Sequence, residues 1–179
     1  MKKQHYVDNK KFYQEILEYK RQVEEAKNNN LDKPPISNYI GECIYKIAEK
    51  LATKPCFNGY SFKDEMVSDG IENCIVYFDD YDPVKGQNPF AYFTQIIYYA
   101  FLRRISKEEK NRYIIYKNFQ HSMINHDASL LLDNDDKQLL SSSMYDNINV
   151  FMEKFESKEQ ERKDKRKNVK EGLSKYYGE

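Results

Sequence analysis

Residues 64–105 read DEMVSDGIENCIVYFDDYDPVKGQNPFAYFTQIIYYAFLRRI, and this stretch decides the fold. Its first part places Met66, Val67, Ile71, Cys74, Ile75 and Phe78 along one side of a helix, the recurrence expected of a 3.6-residue period. Ser61, with Asp64 three residues on, forms an approximate capping box that opens this helix. The pattern stops in DDYDPVKGQN, which holds Pro83 and Gly86, residues that favour turns and interrupt helices. Asn88-Pro89 restarts a helix: proline suits the first helical position because its missing N–H has no intrahelical partner there. From Pro89 to at least Lys110 there is no glycine and no further proline. Phe90, Phe93, Ile97, Ala100, Phe101 and Ile105 fall on one side of it.

Working outward, Phe12, Ile16, Tyr19 and Val23 mark a helix from about Asn9 to Lys27. Asn28-Asn29-Asn30 and Pro34-Pro35 end it. Ser37 offers an N-cap to a second helix, whose stripe Ile40, Ile44, Ile47 and Leu51, with Cys43 beside it, runs to Ala52. Residues 53–60, TKPCFNGY, read as a loop. Beyond Arg112, YIIYKNF (113–119) extends the fourth helix or forms a short separate one. HDASLLLDNDD (126–136) is acidic around a leucine cluster, and another helix is expected near 147–155. KEQERKDKRKNVK (158–170) has seven basic and three acidic side chains and one apolar one, so it cannot bury a core. It reads as a solvated helix or a disordered linker. No internal repeat is visible.

The fold class is therefore all-α: a compact helical domain with a polar, partly disordered C-terminal tail. The 179 residues suit one domain of about 100–150 residues plus tails, and only 6 Gly and 5 Pro disfavour a turn-rich β fold. The charge sums to zero, 29 basic against 29 acidic, which excludes a simple DNA-packaging protein. Cys43, Cys56 and Cys74 form no CxxC pair and read as buried free thiols in a reducing compartment. No apolar run reaches the about 20 residues that span a bilayer, and the basic N-terminus lacks the apolar stretch of a signal peptide. A soluble, intracellular chain is expected. There is no phosphate-cradling glycine loop, no G-x-S-x-G and no HExxH. His5, His121 and His126 are scattered. The carboxylates Asp64, Glu65, Asp69 and Glu72 lie on one helix without a histidine. No catalytic residue, metal or cofactor is expected, and the chain is not expected to be an enzyme.

Charge segregation says more than the sum. Residues 61–85 carry seven acidic and two basic side chains, and residues 103–120 carry six basic and two acidic. Tyr92, Gln95, Ile96, Tyr99 and Arg103 lie at i, i+3, i+4, i+7 and i+11, roughly opposite Phe90, Ile97 and Phe101. An aromatic face beside cations suits unstacked bases, which gain about 1–3 kcal/mol each by stacking. The same tyrosines could equally pack beneath neighbouring helices with their hydroxyls wet.

The ordered pair of helices in 64–105 resembles region 2 of bacterial sigma factors: an acidic helix, a short loop ending in an aromatic, then a long aromatic helix closing with Arg and Ile. Within that family the layout, with NPFAYFTQ (88–95), a short chain and a hydrophobic C-terminus, is most similar to the late-transcription sigma factors of T-even-type bacteriophages. The resemblance covers roughly residues 37–112 and, loosely, the extreme tail. It implies that Glu65, Ser68, Asp69, Ile71 and Ile75 contact the clamp helices of core RNA polymerase. Ser68 and Ile71 stand where the family usually has glutamine and asparagine. It implies that Tyr92, Gln95, Ile96 and Tyr99 capture flipped bases of promoter DNA, with Arg103, Arg104, Lys107 and Lys110 along the phosphates. Gln95 and Ile96 replace two tryptophans of primary sigma factors, and Tyr92, Phe93, Tyr98 and Tyr99 are the aromatic substitutes. Leu173, Tyr176, Tyr177 and Glu179 would bind the phage sliding clamp.

The implied organisation is an N-terminal helix and linker (1–35), a region 2-like helical domain (36–120), an acidic loop and short helix (121–157), a charged linker (158–172) and a clamp-binding tail (173–179). The implied function is a sigma factor that directs bacterial core polymerase to AT-rich −10-type late promoters and is activated through the sliding clamp, together with a phage co-activator, in the cytoplasm of the bacterial host. No helix-turn-helix follows residue 112, so no domain reading an upstream promoter element is expected. The alternative is a helical adaptor or anti-sigma-like protein that binds RNA polymerase without reading DNA.

Overall fold

The computed structural model describes the backbone of residues 6–125 and 135–177, and the side chains of residues 6–121 and 143–169. The chain is all-helical: α1 (Asn9–Asn28), α2 (Asn38–Ala52), α3 (Lys63–Val76), α4 (Pro89–Asn125) and α5 (Asp135–Tyr177), with no strand among the described residues. Two units divide inside α4, Met1–Ile105 and Ser106–Glu179. They do not follow the divisions expected from the sequence. Helix α1 shares the core of the first unit, and the second unit begins at Ser106.

Local chemistry sets most helix ends. The Asp8 carboxylate caps α1 by accepting from the amides of Lys10 and Lys11. At its other end Asn30 adopts φ 52°, the amide of Leu31 donates to Ala26 O at 2.8 Å and that of Asn30 to Lys27 O at 3.2 Å. This is a Schellman closure, with asparagine tolerating the left-handed position. Ser37 caps α2 through the Ile40 amide, and Asn88 caps α4 through the Ala91 amide at 3.1 Å. The expected cap at Ser61 does not form. Helix α3 begins at Lys63 behind Phe62, with no side-chain cap, because the aromatic ring of Phe62 packs on the core and on Tyr60 instead.

The first unit buries one face of each of its four helices. Phe93 lies at the centre. Its ring stacks on Phe78 at 5.6 Å and meets Phe12 at 5.7 Å, and Tyr19 meets Phe78 edge-on at 5.4 Å. Phe57, from the loop after α2, plugs the far end against Phe101 at 5.2 Å. Phe78 sits just beyond the end of α3, not within the helix. Helices α3 and α4 touch at Gly70: a Cβ built there would lie 3.0 Å from Ile97 Cγ2 and 3.1 Å from Phe101 Cε1. Cys43 and Cys74 are buried and Cys56 is exposed, which corrects the expectation of three buried thiols. Burial pushes the Cys74 thiol up to about 12.

The second unit pairs the last turns of α4 with α5 in antiparallel order. Tyr113 stacks on Phe155 at 4.7 Å, Tyr116 meets Phe151 at 5.4 Å and Phe119 meets Tyr145 at 5.9 Å. Tyr113 Oη donates to Glu156 at 2.6 Å and Gln120 to Asn149 at 2.7 Å. YIIYKNF thus continues α4, and the helix expected near 147–155 is a small part of α5. Residues 158–170 are helical, with almost every described side chain exposed. The acidic segment 126–134, including His126, lies outside the described residues.

Two glycines should respond oppositely in urea denaturation. Gly70→Leu must push Ile97 and Phe101 apart and should cost about 1–3 kcal/mol. Gly41 has nothing within 4 Å of its built Cβ, so Gly41→Ala should gain about 0.5–1 kcal/mol of helix propensity. In the native protein iodoacetamide should modify Cys56 well before Cys43 or Cys74, as read by peptide mass spectrometry.

Candidate partner and nucleic-acid interface

Helix α3 turns chemically distinct faces outward because successive residues rotate about 100° around its axis. Met66, Gly70 and Cys74 enter the core. Glu65, Ser68, Glu72 and Ile75 face solvent, at the i, i+3, i+7, i+10 spacing of one face. Ile71 is half-buried and, with Ile75, forms one wall of a groove of about 400 Å³ whose other side is Ile36, Gly41 and Ile44.

Asp69 does not belong to the outer face. It accepts from Arg104 Nε at 2.6 Å and from Arg104 Nη2 at 2.7 Å, a bidentate pair inside the unit. The side chains are only 18% and 28% exposed, so the pair is shielded from water and not free to meet a partner's arginine. One turn on, Arg103 Nη2 donates to Asn73 Oδ1 at 2.6 Å. Both arginines expected along phosphates therefore hold α4 to α3. Arg104 loses its free charge to Asp69, whereas Arg103, paired with a neutral amide, keeps it. Lys107 and Lys110 are exposed but belong to the second unit.

On α4, Gln95 and Tyr99 are exposed, with Tyr99 at 50%, and Tyr98 meets Tyr99 edge-on at 5.8 Å. Tyr92 and Ile96 are half-buried. Tyr92 Oη donates to Tyr77 O at 3.2 Å and its ring leans on Tyr81 at 5.0 Å. Burial raises the Tyr92 phenol above its ordinary value, with Asp80 adding to it, so it stays a protonated donor. Phe93, expected among the base-capturing aromatics, is fully buried and cannot meet a base. The available aromatic surface is Tyr98 and Tyr99 with Leu102, which is also exposed, and the edge of Tyr92.

The sequence placed Glu72 among the acidic residues of the helix but not among the contact positions, and it did not single out Leu102. The spacing of Glu65, Ser68 and Glu72 could have indicated the first, but choosing Glu72 over Asp69 requires knowing where α4 lies. The side chains of Leu173, Tyr176 and Tyr177, and Glu179 altogether, lie outside the described residues. Among the described residues no group of three or more His, Cys, Asp or Glu side chains could hold a metal, and no helix is long and apolar enough to cross a membrane. No family model matches the chain, and no curated protein matches it in a sequence search.

The pairing of Asp69 with Arg104 should appear in stability. Asp69→Ala strands a shielded guanidinium and should cost about 1–3 kcal/mol. Adding Arg104→Met should recover part of that loss, giving a non-zero coupling in a double-mutant cycle. Glu72→Ala should stay within about 0.5 kcal/mol of the parent.

Proposed function

We propose that this chain is a sigma-type initiation protein that binds core RNA polymerase through α3 and presents the tyrosines of α4 to unpaired promoter bases. One observation carries the reading. The internal bond between Asp69 and Arg104 leaves two exposed surfaces of different chemistry on adjacent helices, acidic-apolar on α3 and aromatic on α4. Glu65 and Glu72, with Ser68 between them and Ile75 beside them, suit a partner helix that offers arginines around an apolar residue. Tyr98 and Tyr99 offer ring faces to bases, and Gln95 offers an amide that can donate and accept. Arg103 supplies a nearby positive charge. An AT-rich promoter box lowers the cost of unstacking the captured bases. Association with polymerase brings the tyrosines of α4 to the promoter, so this face needs no large basic excess of its own. The late-promoter specificity and the clamp-binding role of 173–179 rest on the resemblance alone. No step of this proposal requires a catalytic group in the chain.

A second reading has its own support. Because Asp69 takes up the charge of Arg104, the two arginines leave only the charge of Arg103, itself bonded to Asn73, beside the aromatic face, as suits a helical adaptor that binds polymerase without touching DNA. Run-off transcription with core polymerase separates the two. Promoter-dependent initiation supports the sigma reading, and retention on polymerase without initiation supports the adaptor. Under the sigma reading, Glu65→Lys with Glu72→Lys should weaken polymerase binding by about tenfold or more, a loss of about 1.4 kcal/mol. The melting temperature should hold, because neither residue is buried. Tyr98→Ala with Tyr99→Ala should reduce open complexes by about tenfold and leave polymerase binding intact. Unchanged open-complex formation would sink the base-capture role.

A further inference from the structure

The charged stretch 158–170 is a composition in the sequence and a surface in the structure. Helix α5 carries it as a continuous helix to Tyr177, so the cations have fixed directions. Lys163, Arg166 and Lys167 lie at i, i+3 and i+4, within about 100° of arc on one side. All three are exposed, and none has a salt-bridge partner among the described residues. Of the anions of the stretch, Glu161 falls on the opposite side by register. Glu159 shares the side of Lys163 and accepts from Arg162 at 2.7 Å, and Asp164, at the flank, accepts from Gln160 at 3.0 Å.

This side continues across the hairpin. Lys163 shares a surface depression of about 350 Å³ with Tyr113, Phe155, Glu156, Glu159 and Gln160. Glu156 is occupied by the Tyr113 hydroxyl. Lys117 Nζ donates to that same hydroxyl at 3.2 Å, which raises its pKa above the ordinary value and keeps it charged. From Lys117 to Lys167 the ridge runs about 25 Å at 1.5 Å per residue.

We propose that this ridge, carrying Lys117, Lys163, Arg166 and Lys167, binds the phosphate backbone of duplex DNA without reading its sequence. The chemistry favours duplex over single strand: Tyr113 and Phe155, the aromatics beside Lys163, stack on each other at 4.7 Å, and no aromatic residue lies between Phe155 and Val169 to stack a base, so contacts are confined to the backbone. A folded protein partner is disfavoured because residues 156–168 have no apolar side chain to bury. This surface belongs to the second unit and does not depend on the initiation reading.

The test uses the full chain without polymerase, so its outcome is separate from any transcription result. Fluorescence anisotropy with a random-sequence duplex is followed from 50 to 200 mM salt. The parent should bind at 50 mM salt and weaken steeply as salt rises. Lys163→Gln with Arg166→Gln and Lys167→Gln should reduce the slope of log K against log salt by about 2.7, about 0.9 for each lost phosphate contact. Glutamine keeps a helix propensity close to that of lysine and arginine, and unchanged circular dichroism confirms the helix. Lys163→Arg with Lys167→Arg should retain the parent affinity, and Glu156→Gln should tighten binding. The proposal is overturned if the parent does not bind the duplex at 50 mM salt, or if the triple variant matches it in affinity and slope. Equal affinity for polyglutamate of the same charge concentration would also overturn it.

Discussion

At Gly70 the backbone of α3 comes so close to Ile97 and Phe101 that a hydrogen fits and a methyl group must displace its neighbours. This approach determines the rest of the first unit. It brings Asp69 and Asn73 within reach of Arg104 and Arg103, and those bonds fix the rotation of α4 about its axis. With that rotation set, Phe93, Ile97 and Phe101 enter the core while Tyr98, Tyr99 and Leu102 remain outside. A bulkier residue at position 70 would alter the two exposed surfaces together with the packing.

The aromatic content is divided by chemistry. The phenylalanines Phe12, Phe78, Phe93 and Phe101 fill the centre with almost no exposure. Four tyrosines, of which Tyr19 and Tyr81 are buried and Tyr13 and Tyr92 half-buried, donate their hydroxyls to carbonyls in the connecting segments: Tyr13 to Pro83, Tyr19 to Pro34, Tyr92 to Tyr77 and Tyr81 to Gly86. A ring that buries its body and hydrogen-bonds at its tip suits this position. It holds the loops where proline has removed backbone donors. The tyrosine excess is therefore structural in good part, and only Tyr98 and Tyr99 on α4 are free enough for a ligand.

The balanced charge conceals a similar division. Of the acidic residues on α3, Asp69 is occupied within the fold and Glu65 and Glu72 are not. Of the basic residues that close the first unit, Arg103 and Arg104 are engaged. On the α4–α5 hairpin Lys163, Arg166 and Lys167 are exposed on one side with no salt-bridge partner among the described residues. A surface with an excess of one sign on an otherwise neutral molecule creates a local field that the net charge does not describe.

Most of the helices were legible because their signals are local. Apolar spacing placed the first four, Asp8, Ser37 and Asn88 cap where short polar side chains usually do, and the asparagine run closes α1 through a left-handed residue. The start of α3 was misplaced because Phe62 gains more from packing than Ser61 would from capping. The length of α5 was not apparent, because its pairing with α4 joins residues about forty positions apart. The same distinction runs through the candidate site. Sequence established that an acidic helix precedes an aromatic one. Which acid and which arginines meet each other, and which remain for a partner, depended on how two helices approach at one glycine. Composition and period determine which residues share a face, but only packing determines what that face meets.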